Sequence, residues 1–253
     1  MRLSTNARDC LYLNWAVPMD LAPPLPADLS YETHPLQGDD WVFVTALLFR
    51  FVGLRARSLP FLRISYPQLN VRLYVRDRSG APSVLYLRMV VPLWVLPASR
   101  IVGRQQASAG RFVYPSPSSD LGAETWTWRV EGDQAFAATG QVSAPTLGRG
   151  PDLGDWSRTV AYFQRRRKGY AMWDDRFRTV DKSRPTPAIW PMEVEVERSE
   201  VLSKAFPSLG AEDWRIPHSA WLCPEIPFNF QVGKPRLSAL PAASPVAMMR
   251  SDC

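Results

Sequence analysis

Asn70, Arg72 and Tyr74 occupy alternate positions in the stretch NVRLYVR (70–76), and Val71, Leu73 and Val75 fill the positions between them. A period of two defines a strand with one apolar face and one hydrogen-bonding face. The polar face is either wet surface or the lining of a cavity. A guanidinium held inside a fold grips a carboxylate or an enolate-like oxygen through two parallel hydrogen bonds, and a phenol beside it donates a third. Beyond the turn RSG (78–80), the stretch SVLYLRMVVP (83–92) returns as a hairpin partner and brings Tyr86 and Arg88. Tyr114 and Arg129 could reach the same space if strand order permits. The expected ligand-binding set is therefore Asn70, Arg72, Tyr74, Arg88, Tyr114 and Arg129. For each arginine the alternative is a solvent face, or a pairing with Glu124 or a glutamate of the 193–197 strand.

Other residue types carry less chemistry. The three cysteines, Cys10, Cys223 and Cys253, are odd in number and widely spaced, which fits neither a disulfide scaffold nor a zinc cluster. His34 and His218 are the whole histidine complement, so neither a metal nor another cofactor is expected. His218 lies near Cys223, but no third group completes a Cys/His nucleophile. Glu193, Glu195 and Glu197 read as a solvated strand face, because three carboxylates in one buried row would have to be protonated.

The formal charge of +6 comes from one region. Residues 158–184 hold nine Lys or Arg against three Asp, and the rest of the chain balances at 21 of each sign. Interleaved aromatics give this segment the composition of a nucleic-acid grip. The simpler reading, preferred here, is that Arg165–Lys168 offsets the dipole at the end of a helix that stops at Gly169. Nucleic acid is accordingly not an expected partner.

These residues must be positioned mostly by strands. YLNWAV (12–17), WVFVTALLFRFVGL (41–54), QLNVRLYVRD (68–77), GRFVYP (110–115), TWTWRVEG (125–132), QAFAATGQV (134–142) and WPMEVEVER (190–198) all read as strands. Helices are expected at 155–169, capped by Asp155 or Ser157, and in short pieces near 97–103 and 199–206. With no internal repeat or long linker, one domain over 1–240 is expected, followed by a frayed tail at 241–253. Many short strands with few helices imply a barrel or strongly curved sheet, whose inward face tolerates polar groups only where they satisfy one another or meet a ligand. Arg8 and Asp9 interrupt any signal-peptide pattern, and no apolar run is long enough for a membrane helix, so a cytoplasmic protein is expected.

The segments YLNWAVPMDLAPPLPADL, LNVRLYVRDRSGAPSVLYLRMVVP, TWTWRV, YFQRRRKGYAMWDDRFRTV and WPMEVEVER follow one another in an order that resembles the YqjF-like family of uncharacterised conserved bacterial proteins. The resemblance spans roughly residues 10–235. It implies a mainly β (α+β) fold related to acetoacetate decarboxylase, a curved double-cone β-barrel around a central cavity with a few short helices. The decarboxylase relatives use a lysine amine that forms a Schiff base with a keto acid. The comparable stretch here, SRIVGRQQASAG (99–110), offers Arg104 but no amine, and Lys168, Lys182, Lys204 and Lys234 read as belonging to the basic run, a polar loop, a short helix and a Gly-Pro step. Arginine makes no imine, so Schiff-base decarboxylation is not expected.

The leading function is thus a barrel that binds a small anionic or carbonyl-bearing organic molecule. One alternative is a lyase- or isomerase-like enzyme in which Arg and Tyr steady an enolate-like intermediate; residue types alone do not decide whether a ligand is turned over. The other is an interaction or nucleic-acid-associated protein acting through 158–184. A homodimer is the default assembly, since edge strands of an incompletely closed barrel pair readily.

Overall fold

The computed structural model describes residues 1–100, 107–114, 125–173, 176–233 and 236–237. Arg104, Glu124, Lys234, Cys253 and the tail at 241–253 lie outside the described residues. Fifteen strands join one sheet. In chain order they are β1 (Arg2–Pro18), β2 (Leu29–Tyr31), β3 (His34–Leu36), β4 (Asp39–Ala56), β5 (Leu59–Asp77), β6 (Pro82–Val91), β7 (Ala107–Ala109), β8 (Arg111–Val113), β9 (Trp126–Glu131), β10 (Phe136–Val142), β11 (Lys168–Trp173), β12 (Arg176–Ser183), β13 (Trp190–Arg198), β14 (Ser219–Val232) and β15 (Arg236–Leu237). The helices are α1 (Leu96–Ala98), α2 (Trp156–Gln164) and α3 (Glu200–Ser203).

Seven strands close on themselves. The order β12-β11-β6-β5-β4-β1-β14 returns to its start because β12 also pairs with β14, with Val180 opposite Val232 and Lys182 opposite Phe230. From β14 the sheet continues outward through β13, β10, β9 and β8. The fold is thus mainly β, with the ring enclosing the interior that the expected barrel required.

The ring wall is apolar on both sides, which explains why the run 41–54 shows no clean alternation. On β4, Val42, Val44, Ala46 and Leu48 face outward, and Leu69, Val71, Leu73 and Val75 of β5 join them. They pack against Trp126, Trp128 and Val130 of β9, Phe136 of β10, Met192, Val194 and Val196 of β13, and Val201 and Leu202 of α3. Burying each large side chain of this layer contributes about 1.5–3 kcal/mol. Phe43, Leu47, Phe49 and Phe51 of β4 face the ring interior with Tyr12, Trp221 and Phe228.

One helix stops the inner end of the ring. The Asp155 carboxylate accepts from the Arg158 backbone N–H at 2.8 Å and caps α2. Phe163, fully buried, then meets Phe43 and Tyr74 edge-on, each with ring centroids 5.1 Å away. After α2 the chain departs from expectation. Arg165, the C-cap of α2, and Arg167 are exposed as a cationic helix end would be, but Arg166 turns inward and is buried, while Lys168 begins β11 and binds Asp77 at 2.7 Å. Glu32 draws Arg166 in with a 2.7 Å ion pair, both side chains being 5% exposed.

Candidate functional site

The ring holds a cavity of about 400 Å³. Gln68, Asn70 and Arg72 of β5 line it, joined by Tyr12, Tyr86, Phe163, Arg166, Lys182 and Arg184. Alternation positions the β5 residues, since every second side chain of a ring strand points inside. The Gln68 side-chain amide donates to Asn70 Oδ1 at 2.7 Å. The Arg72 guanidinium stands 5.0 Å from the centroid of the Tyr12 ring, and its Nε and Nη2 have no hydrogen-bond partner. Arg184 donates to Gln164 Oε1 at 3.3 Å and to the Gln164 carbonyl at 3.1 Å.

Lys182 lies on β12, opposite Phe230, with its ammonium nitrogen 5.5 Å from the Tyr86 ring centroid. It lines the cavity and an adjoining cleft, which accounts for the surface it retains. Burial, followed by repulsion from Arg72, Arg184 and Arg166, holds its amine well below the usual lysine range. Among the described residues no Asp or Glu lines this cavity. A polar-loop position for Lys182 is therefore corrected, while the stretch 99–110 still offers no amine.

The other expected site residues part company. Tyr74 shares the Arg72 face, but its hydroxyl is used in a buried chain. Thr45 gives its one hydroxyl proton to Asn14 Oδ1 at 2.6 Å, so Tyr74 donates to Thr45 at 2.9 Å. Arg88 is on the wrong side of β6. Val71 pairs with Arg88, yet Arg72 pairs with Tyr86, so a bulge at Leu87 exchanges the faces and puts Tyr86 inside. Arg88 instead donates to the Lys204 carbonyl at 2.8 Å. Tyr114 donates to the Phe49 carbonyl at 2.9 Å and does not line the cavity. Arg129 is exposed on β9, because Trp128 and Val130 take the buried positions.

Cys10 and Cys223 face each other directly across β1 and β14, both buried and free. A bulge around Asp9, whose φ of 53° is left-handed, returns Cys10 to the inner face. Burial pushes the Cys223 thiol up to about 12 and raises Cys10 as well, so neither supplies a thiolate near neutral pH. His218 packs edge-on against Phe43 and lies 3.3 Å from the Ser219 hydroxyl, a core role. Among the described residues no three His, Cys, Asp or Glu side chains gather as a metal site, and no helix is long and apolar enough to cross a membrane.

Burial pushes the His218 imidazole down to about 4. The unfolded chain takes up this proton near pH 6.5, whereas the fold resists it until about pH 4. Stability present above about pH 6.5 is therefore lost as pH falls through that window, by roughly 3 kcal/mol at most. Urea melts across this range should show that slope, and His218→Leu should flatten it.

Solved enzymes share this fold. An acetoacetate decarboxylase-like enzyme from Sphingomonas wittichii RW1 is 14% identical at a TM-score of 0.58, covering 95% of this chain and 94% of that one. The enduracididine biosynthesis enzyme MppR complexed with pyruvate is 13% identical at a TM-score of 0.58, covering 94% and 90%. MppR complexed with the condensation product of pyruvate and imidazole 4-carboxaldehyde is 13% identical at a TM-score of 0.57, covering 94% and 89%. The fold is acetoacetate decarboxylase-like.

Residues 4–226 match the DUF2071 family model, described as an uncharacterized conserved protein (COG2071), and the chain belongs to that family. No curated protein matches it.

Proposed function

We propose that the protein binds a small organic acid bearing a carbonyl group, with the carboxylate on Arg72 and the carbonyl carbon against Lys182. The observation that carries this reading is the gathering of Arg72, Arg184 and Lys182 around a cavity with no acidic lining residue among those described, Arg166 on the same lining being already paired with Glu32. An anion is the counter-charge that such an interior calls for. Pyruvate in a neighbour of the same fold supports the ligand class.

Burial and the neighbouring cations favour the neutral amine form of Lys182, which is the nucleophile. Its lone pair adds to the carbonyl carbon, the C=O π pair moves to oxygen, and that oxygen takes a proton. Loss of water from the carbinolamine leaves a C=N bond to Nζ. An isomerase step would need an acid/base partner, and the described lining offers no carboxylate for it. The basic-surface reading keeps Arg158, Arg165 and Arg167 exposed but loses Arg166, Lys182 and Arg184, which line the cavity.

The test is borohydride reduction in the presence of pyruvate near pH 7, read by intact-protein mass spectrometry. One reduced adduct is expected, mapped to Lys182 and absent from Lys182→Met. No adduct, or an adduct that survives Lys182→Met, overturns the covalent step.

A further inference from the structure

The cavity changes character along its length, and every strand that lines it agrees on the direction. Inward along β5, the lining residues run Leu62, Ile64, Tyr66, Gln68, Asn70, Arg72. Leu62 is 56% exposed and Arg72 is 6% exposed, so this sequence leads from mouth to interior. On β12 the same direction reads Val180, Lys182 and then Arg184 just beyond the strand. β4 contributes Leu54, Phe51, Phe49 and Leu47, while β14 contributes Val232, Phe230 and Phe228. The pairings align these series, since Val180 lies opposite Val232 and Lys182 opposite Phe230. From Leu62 to Arg72 is ten strand residues, about 33 Å at the rise of an extended strand.

Four cationic side chains, Arg72, Arg166, Lys182 and Arg184, line the inner part, and the long approach, apart from Arg55 and Met1 at the mouth, is lined largely by hydrocarbon and aromatic rings. A three-carbon acid held at Arg72 and Lys182 would leave most of the 400 Å³ without contact. The order of groups also has chemical content. Arg184 lies further inward than Lys182 along β12, so a carboxylate enters first, an adjacent carbonyl stops at the amine, and the remaining chain points outward past Phe228, Phe230 and Phe51.

We infer that the occupant is a 2-oxo acid with an extended apolar chain, which runs from Lys182 toward the mouth at Leu59 and Leu62. This deepens the proposed function and rests on it. The collar around the mouth continues the apolar path, since Leu59, Phe61 and Leu62 are all exposed at the start of β5.

The test is calorimetric titration of the whole chain with pyruvate, 2-oxohexanoate, 2-oxooctanoate and 2-oxodecanoate, each below its aggregation threshold, with octylamine as a chain lacking the acid. Affinity should rise about fourfold per methylene, which is on the order of 10³-fold from pyruvate to 2-oxooctanoate. Octylamine should bind at least tenfold more weakly than 2-oxooctanoate. Leu62→Glu, a change at an exposed position of the mouth, should weaken 2-oxodecanoate at least tenfold more than it weakens pyruvate. Pyruvate binding with no rise along the series overturns the extended chain and leaves the proposed function standing. Octylamine binding as tightly as 2-oxooctanoate, or Leu62→Glu weakening pyruvate equally, also overturns it. No binding by any acid overturns both readings.

Discussion

Glu32→Leu is expected to lower the unfolding free energy by about 3–5 kcal/mol, the usual cost of leaving one member of a buried ion pair without the other. The stranded group is Arg166. Its guanidinium sits between two rings, 4.3 Å from the Tyr162 centroid and 5.2 Å from that of Tyr74, with 6% of the residue exposed. These faces attract the cation but do not replace a carboxylate. Arg76, which donates to the other Glu32 oxygen at 2.9 Å, is half in solvent and is released at little cost. The double variant Glu32→Leu/Arg166→Met should recover most of the loss, because apolar groups of similar volume often match a buried pair. Chemical denaturation of the three variants decides it. A single-variant loss below about 1 kcal/mol would place this pair in the solvated class.

Arg72→Met should divide stability from binding. Arg72 is a buried cation whose Nε and Nη2 have no partner in the protein, partly offset by its contact with the Tyr12 ring. Methionine fills similar space without a charge, so the variant is expected to gain about 1–3 kcal/mol. Removing the group that would hold a carboxylate should weaken binding of a 2-oxo acid about 100-fold or more. A third consequence follows at Lys182. Arg72 is the first-ranked of the charges that depress its amine, after burial itself. Losing Arg72 raises the amine toward the ordinary lysine range and slows borohydride trapping at neutral pH. Arg72→Lys should not restore binding, because an ammonium lacks the planar fork. Melting temperature, titration and trapping rate measured together test the argument. A destabilised Arg72→Met with unaltered binding would show that Arg72 serves the fold alone.

Much of the architecture was legible because its signals are local. The alternation at 68–77 gave β5, the turn after Asp77 gave the hairpin with β6, and the apolar period of WPMEVEVER gave β13 with its glutamates exposed. Asp155 marked the start of α2. The site was legible in part. Asn70 and Arg72 line the cavity as their strand face implied, whereas a single bulged residue, Leu87, sends Arg88 to the other side and Tyr86 inward. Nothing in SVLYLRMVVP marks that bulge. Lys182 and Arg184 were hidden for another reason. A cation facing a cavity has the same sequence period as a cation facing water, and Val180-Asp181-Lys182-Ser183-Arg184 puts polar groups on both faces. The usable hint was the excess of charge over 158–184, of which Arg166, Lys182 and Arg184 line the interior while Arg158, Arg165 and Arg167 stay exposed. Tyr114 and Arg129 depended on strand order, which only long-range pairing sets.

The seam that completes the ring has a temporal side. β1 and β14 pair in a register that sets Arg2 against Gln231, and β12 meets β14 a few residues away. The β1–β14 contacts join parts of the chain more than two hundred residues apart, so closure bears a large loop entropy and comes late in folding. Synthesis imposes the same order, because the first strand made must wait for residues 219–232. During that interval β1 carries an unpaired edge beside an interior not yet sealed from water, the kind of surface on which nascent chains aggregate and chaperones act.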